Sequence, residues 1–338
     1  MTQLLGLTLL SMVLTFILII PFIDFLYKLK LRRQHQATVD IFNEPTPLFD
    51  KFNAWKVGTP FGGGVLIIAI VTTVFLWSIG IFNIQVNPWE LFTILFTFIS
   101  FGILGMFDDA KKLVTKPEKY FLLGVRFRYK FIIQWLLALI PATVLYFNLN
   151  YTFLFIKGIG LADIGFLYIP FAAFVIVAFA NAFNIADGLD GLSPGLLLIS
   201  LVAFLAISFT NLDQGLGVFI AVLMGSVAAF LYFNIYRARI WLGDVGSLSL
   251  GACLAIIGLL TGKTLAIAVI GGVFVLEVGS SLIQILGKKL LHRKIFPVAP
   301  LHLYFFKRGW DEPKIVMRGW LLGVFFAVLG LYLAFFNK

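Results

Sequence analysis

The chain has few charged residues, three histidines and a single cysteine among its 338 residues. Asp, Glu, Lys and Arg make up only 12% of it, about half the fraction in an average soluble domain, whereas 61% of the residues are hydrophobic. A soluble globular protein could not bury so much apolar surface, and a disordered chain would lack it, so both classes are excluded. Cys253 allows no internal disulfide and is expected to be a small buried hydrophobic residue.

Long polar segments and internal repeats are also missing, which excludes a separate soluble domain and a repeat architecture. The apolar runs are continuous over about 20 residues, whereas the strands of a membrane β-barrel alternate in polarity over about 10. The sequence therefore predicts an all-α polytopic membrane protein, with residues 1–338 forming a single integral membrane domain.

The apolar runs predict about ten membrane helices. They lie near Leu4–Tyr27, Gly62–Ile81, Leu91–Phe107, Phe131–Phe147, Gly165–Phe183, Pro194–Phe209, Gly217–Phe233, Leu248–Leu260, Leu265–Leu286 and Ile315–Phe336. No basic residue precedes the first run and Lys28 follows it, which is the reverse of the order in a cleaved signal peptide.

The distribution of basic residues predicts the orientation. With ten helices, the connections after the first, third, fifth, seventh and ninth, together with Arg318 in the first turn of the tenth, hold 23 of the 26 Lys and Arg residues. Because basic residues stay on the cytoplasmic side, both chain ends are expected outside the cell. The net charge of +10 is then a cytoplasmic surface feature that suits lipid headgroups and phosphate-bearing substrates, and it needs no nucleic acid to explain it.

Acidic residues cluster at the predicted cytoplasmic helix ends. Asp108 and Asp109 end the third run, Asp187 and Asp190 follow the fifth, and Asp244 precedes the eighth. A carboxylate at the C-terminal end of a helix is unfavourable unless a cation neutralises it, and Mg²⁺ is the usual hard-cation partner of carboxylates. Lys112 lies one helical turn beyond Asp108.

Two further segments carry polar groups beside the membrane. Asn181 and Asn184 share a helix face ahead of two glycines that let the backbone approach a ligand closely. A connecting turn would explain the glycines but not the amides and acids beside them. Trp241 and Ser247 flank the start of the eighth run, where free N–H groups make an anion site, and Asn234 closes the seventh.

Five segments in chain order resemble those of the polyprenyl-phosphate N-acetylhexosamine-1-phosphate transferases. They are Lys56–Gly63, Asp108–Lys112, Asn181–Leu192, Gly243–Ser247 and Gly309–Val316. The resemblance implies that a UDP-linked N-acetylsugar gives its sugar-1-phosphate to a polyprenyl (undecaprenyl) phosphate, releasing UMP, with Mg²⁺. It also implies a bacterial inner-membrane enzyme whose catalytic face is formed by cytoplasmic loops, and a homodimer is left open.

The resemblance assigns roles by position. Asp244 would hold Mg²⁺, and Asp108 or Asp109 would orient or deprotonate the lipid phosphate or bind the metal as well. Uridine and the reaction centre would be served by Asn184, Asp187 and Asp190, the phosphates by Lys56 and Lys112, and the uracil by Trp241. Further expected substrate-binding residues are Thr59, Asn181, Asn234 and Ser247. Direct transfer and an aspartyl-phosphate intermediate both remain open.

One segment departs from the family pattern. A run of histidines typically follows a proline and an aliphatic residue, whereas here His302 is followed by Leu303 and Tyr304. A substrate role for His302 is left open, while Glu277, deep in the ninth run, is expected to make interhelical hydrogen bonds. The Gly309–Val316 segment favours N-acetylmuramoyl-pentapeptide-1-phosphate as the transferred group.

Two other functions compete with this one. An N-acetylglucosamine-1-phosphate transferase for another surface glycan is the alternative within the family, and a membrane transporter is the alternative from another class. Transporters place polar residues near the midplane and often in repeated halves. Here the acidic residues lie at the predicted cytoplasmic helix ends and the sequence shows no internal repeat, so the enzyme is favoured over the transporter.

Overall fold

The computed structural model describes residues 1–33, 44–114, 127–156, 160–211 and 213–335, and in these ranges it is almost entirely helical. The helices are α1 (Thr2–Lys28), α2 (Pro47–Asn53), α3 (Gly63–Phe82), α4 (Pro88–Val114), α5 (Phe127–Phe147), α6 (Tyr168–Ala186), α7 (Leu192–Thr210), α8 (Gln214–Asn234), α9 (Gly243–Leu260), α10 (Thr264–Ile270), α11 (Gly272–Leu290), α12 (Leu301–Lys307) and α13 (Glu312–Phe335). Strands β1 (Phe153–Ile156) and β2 (Gly160–Asp163) form an antiparallel hairpin.

Nine helices within the described ranges are long and apolar enough to cross a membrane. They are α1, α3, α4, α5, α6, α7, α8, α9 and α13. Large apolar side chains such as Leu321, Phe325 and Leu9 are exposed on the outer helices, as expected for surfaces that face lipid. The all-α polytopic membrane fold is thereby confirmed.

The ninth predicted span differs from the structure. Instead of one continuous helix over Leu265–Leu286, the chain forms the short α10 and the longer α11, which meet at Gly271 and Gly272. Glycine is among the poorest helix formers, so an adjacent pair is a natural place for a helix to break. The prediction of a single helix was therefore wrong at this position.

The core is centred on α9, which is the most buried of the nine long helices and packs against α3, α4 and α6. Two glycines allow the ends of α3 and α4 to approach the start of α9. A Cβ atom on Gly64 would lie 2.2 Å from the Gly246 Cα, and one on Gly105 would lie 2.1 Å from the Asp244 carbonyl oxygen. Small residues therefore bring the tip of α4 beside the first turn of α9.

Side-chain contacts show which helix ends meet. The ends of α4, α6 and α8 lie beside the starts of α5, α7, α9 and α13, and we call this the site end of the bundle. At the opposite end, Tyr151 donates a hydrogen bond to the Leu260 carbonyl, and Asn211 donates one to the Thr261 carbonyl. The predicted carboxylates all lie at the site end.

Candidate active site

Three carboxylates and two ammonium groups meet at the site end, and we call them the acid–lysine cluster: Asp108, Asp109, Lys112, Lys130 and Asp244. The Lys130 Nζ lies 2.6 Å from Asp244 Oδ2 and 3.0 Å from Asp108 Oδ2. The Lys112 Nζ lies 2.9 Å from the same Asp244 oxygen, 3.3 Å from Asp108 Oδ2 and 3.4 Å from Asp109 Oδ1. Residues from α4, α5 and α9 thus form one ionic network.

The local sequence explains how the cluster is held. Lys112 follows Asp109 by three residues and Asp108 by four in α4, so its side chain lies beside both carboxylates. Asp244 lies in the first turn of α9, where a negative charge is favoured by the helix dipole. Asp109 Oδ2 accepts a hydrogen bond of 3.1 Å from the Val245 N–H, so α4 supplies a cap to α9.

The two predicted asparagines at the end of α6 have different surroundings. The Asn184 amide donates to Asp244 Oδ1 at 3.1 Å and to the Ser247 hydroxyl at 2.7 Å. Asn181 instead pairs with Gln134 of α5 at 2.7 Å. Asn184 therefore belongs to the surroundings of the acid–lysine cluster, whereas Asn181 joins α5 to α6.

A second ionic group, the Lys56 cluster, consists of Lys56, Asp190 and Glu312. The Lys56 Nζ lies 2.7 Å from Glu312 Oε1, 3.3 Å from Asp190 Oδ1 and 3.1 Å from the Gly188 carbonyl oxygen. All three side chains are buried. In this arrangement the ammonium of Lys56 faces carboxylates, and its expected contact with substrate phosphate stays a prediction.

Three of the predicted residues tie loops together: Asn234, Asp190 and Thr59. Asn234 accepts a hydrogen bond from the Gly191 N–H and donates one to the Ile240 carbonyl. Asp190 Oδ2 accepts one from the Ala238 N–H. Thr59 accepts one from the Arg33 N–H through its backbone carbonyl. These contacts hold the connections that form the walls of the site.

A cavity of about 440 Å³ opens beside the acid–lysine cluster. Seven of the predicted site residues line it: Asp109, Lys112, Asn184, Asp187, Trp241, Asp244 and His302. The other seven, Lys56, Thr59, Asp108, Asn181, Asp190, Asn234 and Ser247, are not among its lining residues. The predicted set therefore divides into a lining and a supporting layer.

Asp187 lies in the turn between α6 and α7. Burial raises the pKa of its carboxyl to about 8, although the hydroxyl of Ser193, which donates a hydrogen bond to it, acts in the opposite direction. Burial therefore favours the protonated form of this carboxyl. A cation bound nearby would lower this pKa again.

His302 is held by Glu277, and sequence reasoning did not link the two. The His302 Nδ1 lies 3.0 Å from Glu277 Oε2, and both side chains are buried. A Cβ atom on Gly188 would lie 3.1 Å from His302 Nε2, so the ring edge opposite Glu277 faces the turn that carries Asp187. Glu277, which was expected to make interhelical hydrogen bonds, thus orients the imidazole of His302, which lines the cavity.

Sequence reasoning also missed cations and an acid at the site. Arg33 lines the cavity, with its guanidinium 4.8 Å from the centre of the Trp241 ring, and burial lowers its pKa to about 10. In the sequence, Lys130 and Arg33 are distinguished only as two of the basic residues that predict the orientation. Glu312 belongs to a segment that carried the family resemblance, but nothing in its spacing linked it to Lys56.

The fit of a divalent cation can be judged from the donor set. Among the described residues, no group of three acidic, histidine or cysteine side chains is arranged to hold a metal ion. The carboxylates of Asp108, Asp109 and Asp244 nevertheless all pair with the Lys112 ammonium, and two of them also pair with Lys130, so this cluster of hard oxygen donors needs positive charge. The donor chemistry fits Mg²⁺, and the metal assignment stays a prediction.

Comparison with known proteins gives an independent assignment. Residues 91–262 match the family described as glycosyl transferase family 4. The phospho-N-acetylmuramoyl-pentapeptide-transferase of Rickettsia akari (strain Hartford) is 40% identical over 299 residues, covering 82% of this chain and 80% of the relative. The phospho-N-acetylmuramoyl-pentapeptide-transferase of Geobacillus sp. (strain WCH70) is 34% identical over 326 residues, covering 96% of this chain and 95% of the relative. That of Pelagibacter ubique (strain HTCC1062) is 36% identical over 298 residues, covering 82% of this chain and 80% of the relative. The family match includes the whole acid–lysine cluster.

Proposed function

The chain belongs to glycosyl transferase family 4, and from that premise we propose that it transfers a sugar-1-phosphate from a UDP-sugar to a polyprenyl phosphate and releases UMP. We propose that the transferred group is N-acetylmuramoyl-pentapeptide-1-phosphate, in the synthesis of a cell-wall precursor. The support is that all three relatives above are named phospho-N-acetylmuramoyl-pentapeptide-transferase. The observation that carries the proposal is the acid–lysine cluster beside a cavity at one end of a membrane bundle.

The proposed reaction brings two anions together, so the site has to neutralise charge. An oxygen of the lipid phosphate attacks the β-phosphorus of the UDP-sugar, and the bond from that phosphorus to the bridging oxygen breaks as UMP leaves. Negative charge develops on the oxygens around the phosphorus, where preorganised cations lower the barrier. Lys112 lines the cavity and is the cation that we propose meets these oxygens.

The carboxylates have complementary tasks in this proposal. Asp109 lines the cavity and is the group proposed to orient the lipid phosphate or accept its proton, while Asp108 holds Lys130. Asn184 and Ser247 support Asp244 from the adjoining helices. A lipid-borne acceptor explains why the cluster lies where helices end, since the phosphate stays at the membrane surface while its chain stays in the bilayer.

We propose that Asp244, with Asp108 and Asp109 beside it, holds Mg²⁺, which when bound supplies positive charge to phosphate oxygens. Chelation with EDTA is therefore expected to reduce UMP release at least about 100-fold, and added Mg²⁺ should restore it. The control is binding of UMP by the chelated protein, which shows whether the site is still folded. Full activity in EDTA would contradict the metal assignment.

His302→Ala is expected to reduce the rate by about tenfold, less than Asp244→Asn does, because His302 lines the cavity outside the acid–lysine cluster. Glu277→Gln should lower the rate of UMP release by no more than His302→Ala does. The double variant should release UMP at the rate of His302→Ala alone, since Glu277 acts through the imidazole. Rates of UMP release for the three variants test this. A larger loss in His302→Ala than in Asp244→Asn would give the histidine a direct part in the chemistry.

Purified protein in detergent with undecaprenyl phosphate tests the proposed function. UDP-N-acetylmuramoyl-pentapeptide and UDP-N-acetylglucosamine are offered separately, and UMP is measured with and without the lipid. Lipid-dependent release of UMP from the muramoyl-pentapeptide substrate is expected. Release from UDP-N-acetylglucosamine alone would assign the other branch, and solute flux in liposomes without UMP would contradict the enzyme.

We propose a bacterial inner membrane as the location, with the site end of the bundle in the cytoplasm. The support is the predicted topology, in which 23 of the 26 Lys and Arg residues fall on the cytoplasmic side together with the helix ends that carry Asp108, Asp187 and Asp244. UDP-linked substrates are anionic, and a basic surface would attract them. An added cysteine at Lys28 should be labelled by a membrane-impermeant reagent only after the cells are opened.

A further inference from the structure

One wall of the active-site cavity is formed by the turn between α6 and α7, residues 187–191, which we call the acidic turn. Asp187 and Gly188 line the cavity, whereas Asp190 is only 3% exposed. Because the turn lies between two helices, its position depends on the groups that bind its polar atoms. Two of those groups come from parts of the chain that are distant in sequence.

Two backbone groups of the acidic turn are bound by buried side chains. The Gly188 carbonyl accepts a hydrogen bond of 3.1 Å from Lys56 Nζ, and the Asp190 N–H donates one of 2.7 Å to Glu312 Oε1. Lys56 Nζ donates to the same Glu312 oxygen, also at 2.7 Å. A single carboxylate oxygen therefore joins both contacts, and its position sets the position of the turn.

Glu312 makes these contacts through one oxygen only. Its Oε2 is buried and has no hydrogen-bond partner. The Lys56 ammonium also lies 3.3 Å from Asp190 Oδ1, so one cation faces two carboxylates. If Glu312 lost its charge, Lys56 and Asp190 would remain as a balanced pair. What Glu312 adds to the Lys56 cluster is therefore an acceptor at a fixed place, which a neutral amide oxygen can also supply.

Glu312 lies away from the cavity. It is only 5% exposed and is not among the residues that line the active site. Lys56 stands between it and the cavity wall, fully buried, with its Nζ 5.2 Å from the centre of the Trp241 ring and 5.4 Å from that of Trp55. Any effect of Glu312 on the reaction therefore passes through the acidic turn.

We propose that Glu312 is a positioning residue, whose Oε1 holds the acidic turn so that Asp187 stays in the wall of the cavity. The inference rests on the proposed function and deepens it by adding a residue that touches no substrate. A misplacement of about 1 Å can lower a rate about 100-fold, so a contact behind the cavity wall is enough to control the transfer.

Two substitutions separate the position of this oxygen from its charge. Glu312→Gln keeps an oxygen where Oε1 lies and removes the charge, whereas Glu312→Asp keeps the charge and withdraws it by one methylene group. UMP release is measured per folded protein, with the folded fraction taken from the thermal unfolding transition followed by tryptophan fluorescence. We expect Glu312→Gln to stay within about threefold of wild type and Glu312→Asp to be about 30-fold slower.

Asp311→Asn is the matched control, because Asp311 is the neighbouring carboxylate and is exposed. Its rate should stay within about twofold of wild type. Equal rates in the two Glu312 variants would overturn the positioning role, and a slower Glu312→Gln would assign the role to charge instead. A Glu312→Asp protein without an unfolding transition, or with a folded fraction that works at the wild-type rate, would make Glu312 a residue of fold stability and also overturn it.

The proposed function is judged separately, by lipid-dependent UMP release from the wild-type protein. A wild-type protein that releases UMP, with equal rates in the two Glu312 variants, would keep the function and lose the positioning role. A wild-type protein that releases no UMP would lose both.

Discussion

Asp244→Asn is expected to reduce UMP release by at least about 100-fold while leaving expression near the wild-type level. Asp244 Oδ2 lies within 2.9 Å of both Lys112 and Lys130, and Oδ1 accepts a hydrogen bond from Asn184. The neutral amide would keep the size of the side chain but lose the charge that holds the two ammonium groups in place. The rate of lipid-dependent UMP release by purified protein is the measurement.

Asp24→Asn is the control for this substitution. Asp24 is an exposed carboxylate near the site end of α1, and it lies outside the acid–lysine cluster. Its replacement should leave the rate within about twofold of wild type, because exposed charges contribute little. If the Asp244→Asn variant released UMP at the wild-type rate while variants of the other cluster residues did not, Asp244 would have no essential part in the reaction.

Lys130→Gln should be almost as damaging, with a loss of at least about 100-fold in the same assay. The Lys130 ammonium bridges Asp108 and Asp244 at 3.0 and 2.6 Å, so its loss leaves two carboxylates facing each other with only Lys112 between them. The repulsion should displace Asp244 and weaken the proposed metal site. Excess Mg²⁺ should therefore rescue part of the lost rate.

Coupling between the two substitutions gives a stricter test. Because Asp244 and Lys130 belong to one ionic network, the Asp244→Asn/Lys130→Gln double variant should be far more active than the product of the two single losses would give. Lys28→Gln, at an exposed lysine that ends α1, is the control and should remain active. Independent, multiplying losses would show that the two side chains do not act together.

Much of the fold and the location of the carboxylates could be predicted because lipid imposes strong rules on sequence. Apolar runs of membrane-spanning length identified the nine long helices, and the charge distribution assigned Asp108, Asp187 and Asp244 to a common side. Their placement at one end of the bundle therefore required no knowledge of the packing, whereas the contacts that separate the acid–lysine cluster from the Lys56 cluster did.

The remaining features depend on contacts between residues that are distant in the chain. Lys130 is one of many basic residues on its side, and only the packing of α5 beside α4 and α9 distinguishes it. Glu312 reaches Lys56 across 256 residues, and the Glu277–His302 pair joins two helices whose relative position no local pattern encodes. The division of the predicted residues into those that line the cavity and those that support it has the same cause.

The most direct test of the account follows the phosphorus atom. UDP-N-acetylmuramoyl-pentapeptide labelled with ³²P in the β-phosphate is incubated with undecaprenyl phosphate and the purified protein, and the lipid and water-soluble products are separated. If the acid–lysine cluster joins two phosphoryl groups, the label will move to the lipid in step with the release of unlabelled UMP. Label that stays in the aqueous phase as UDP while the sugar reaches the lipid would contradict it.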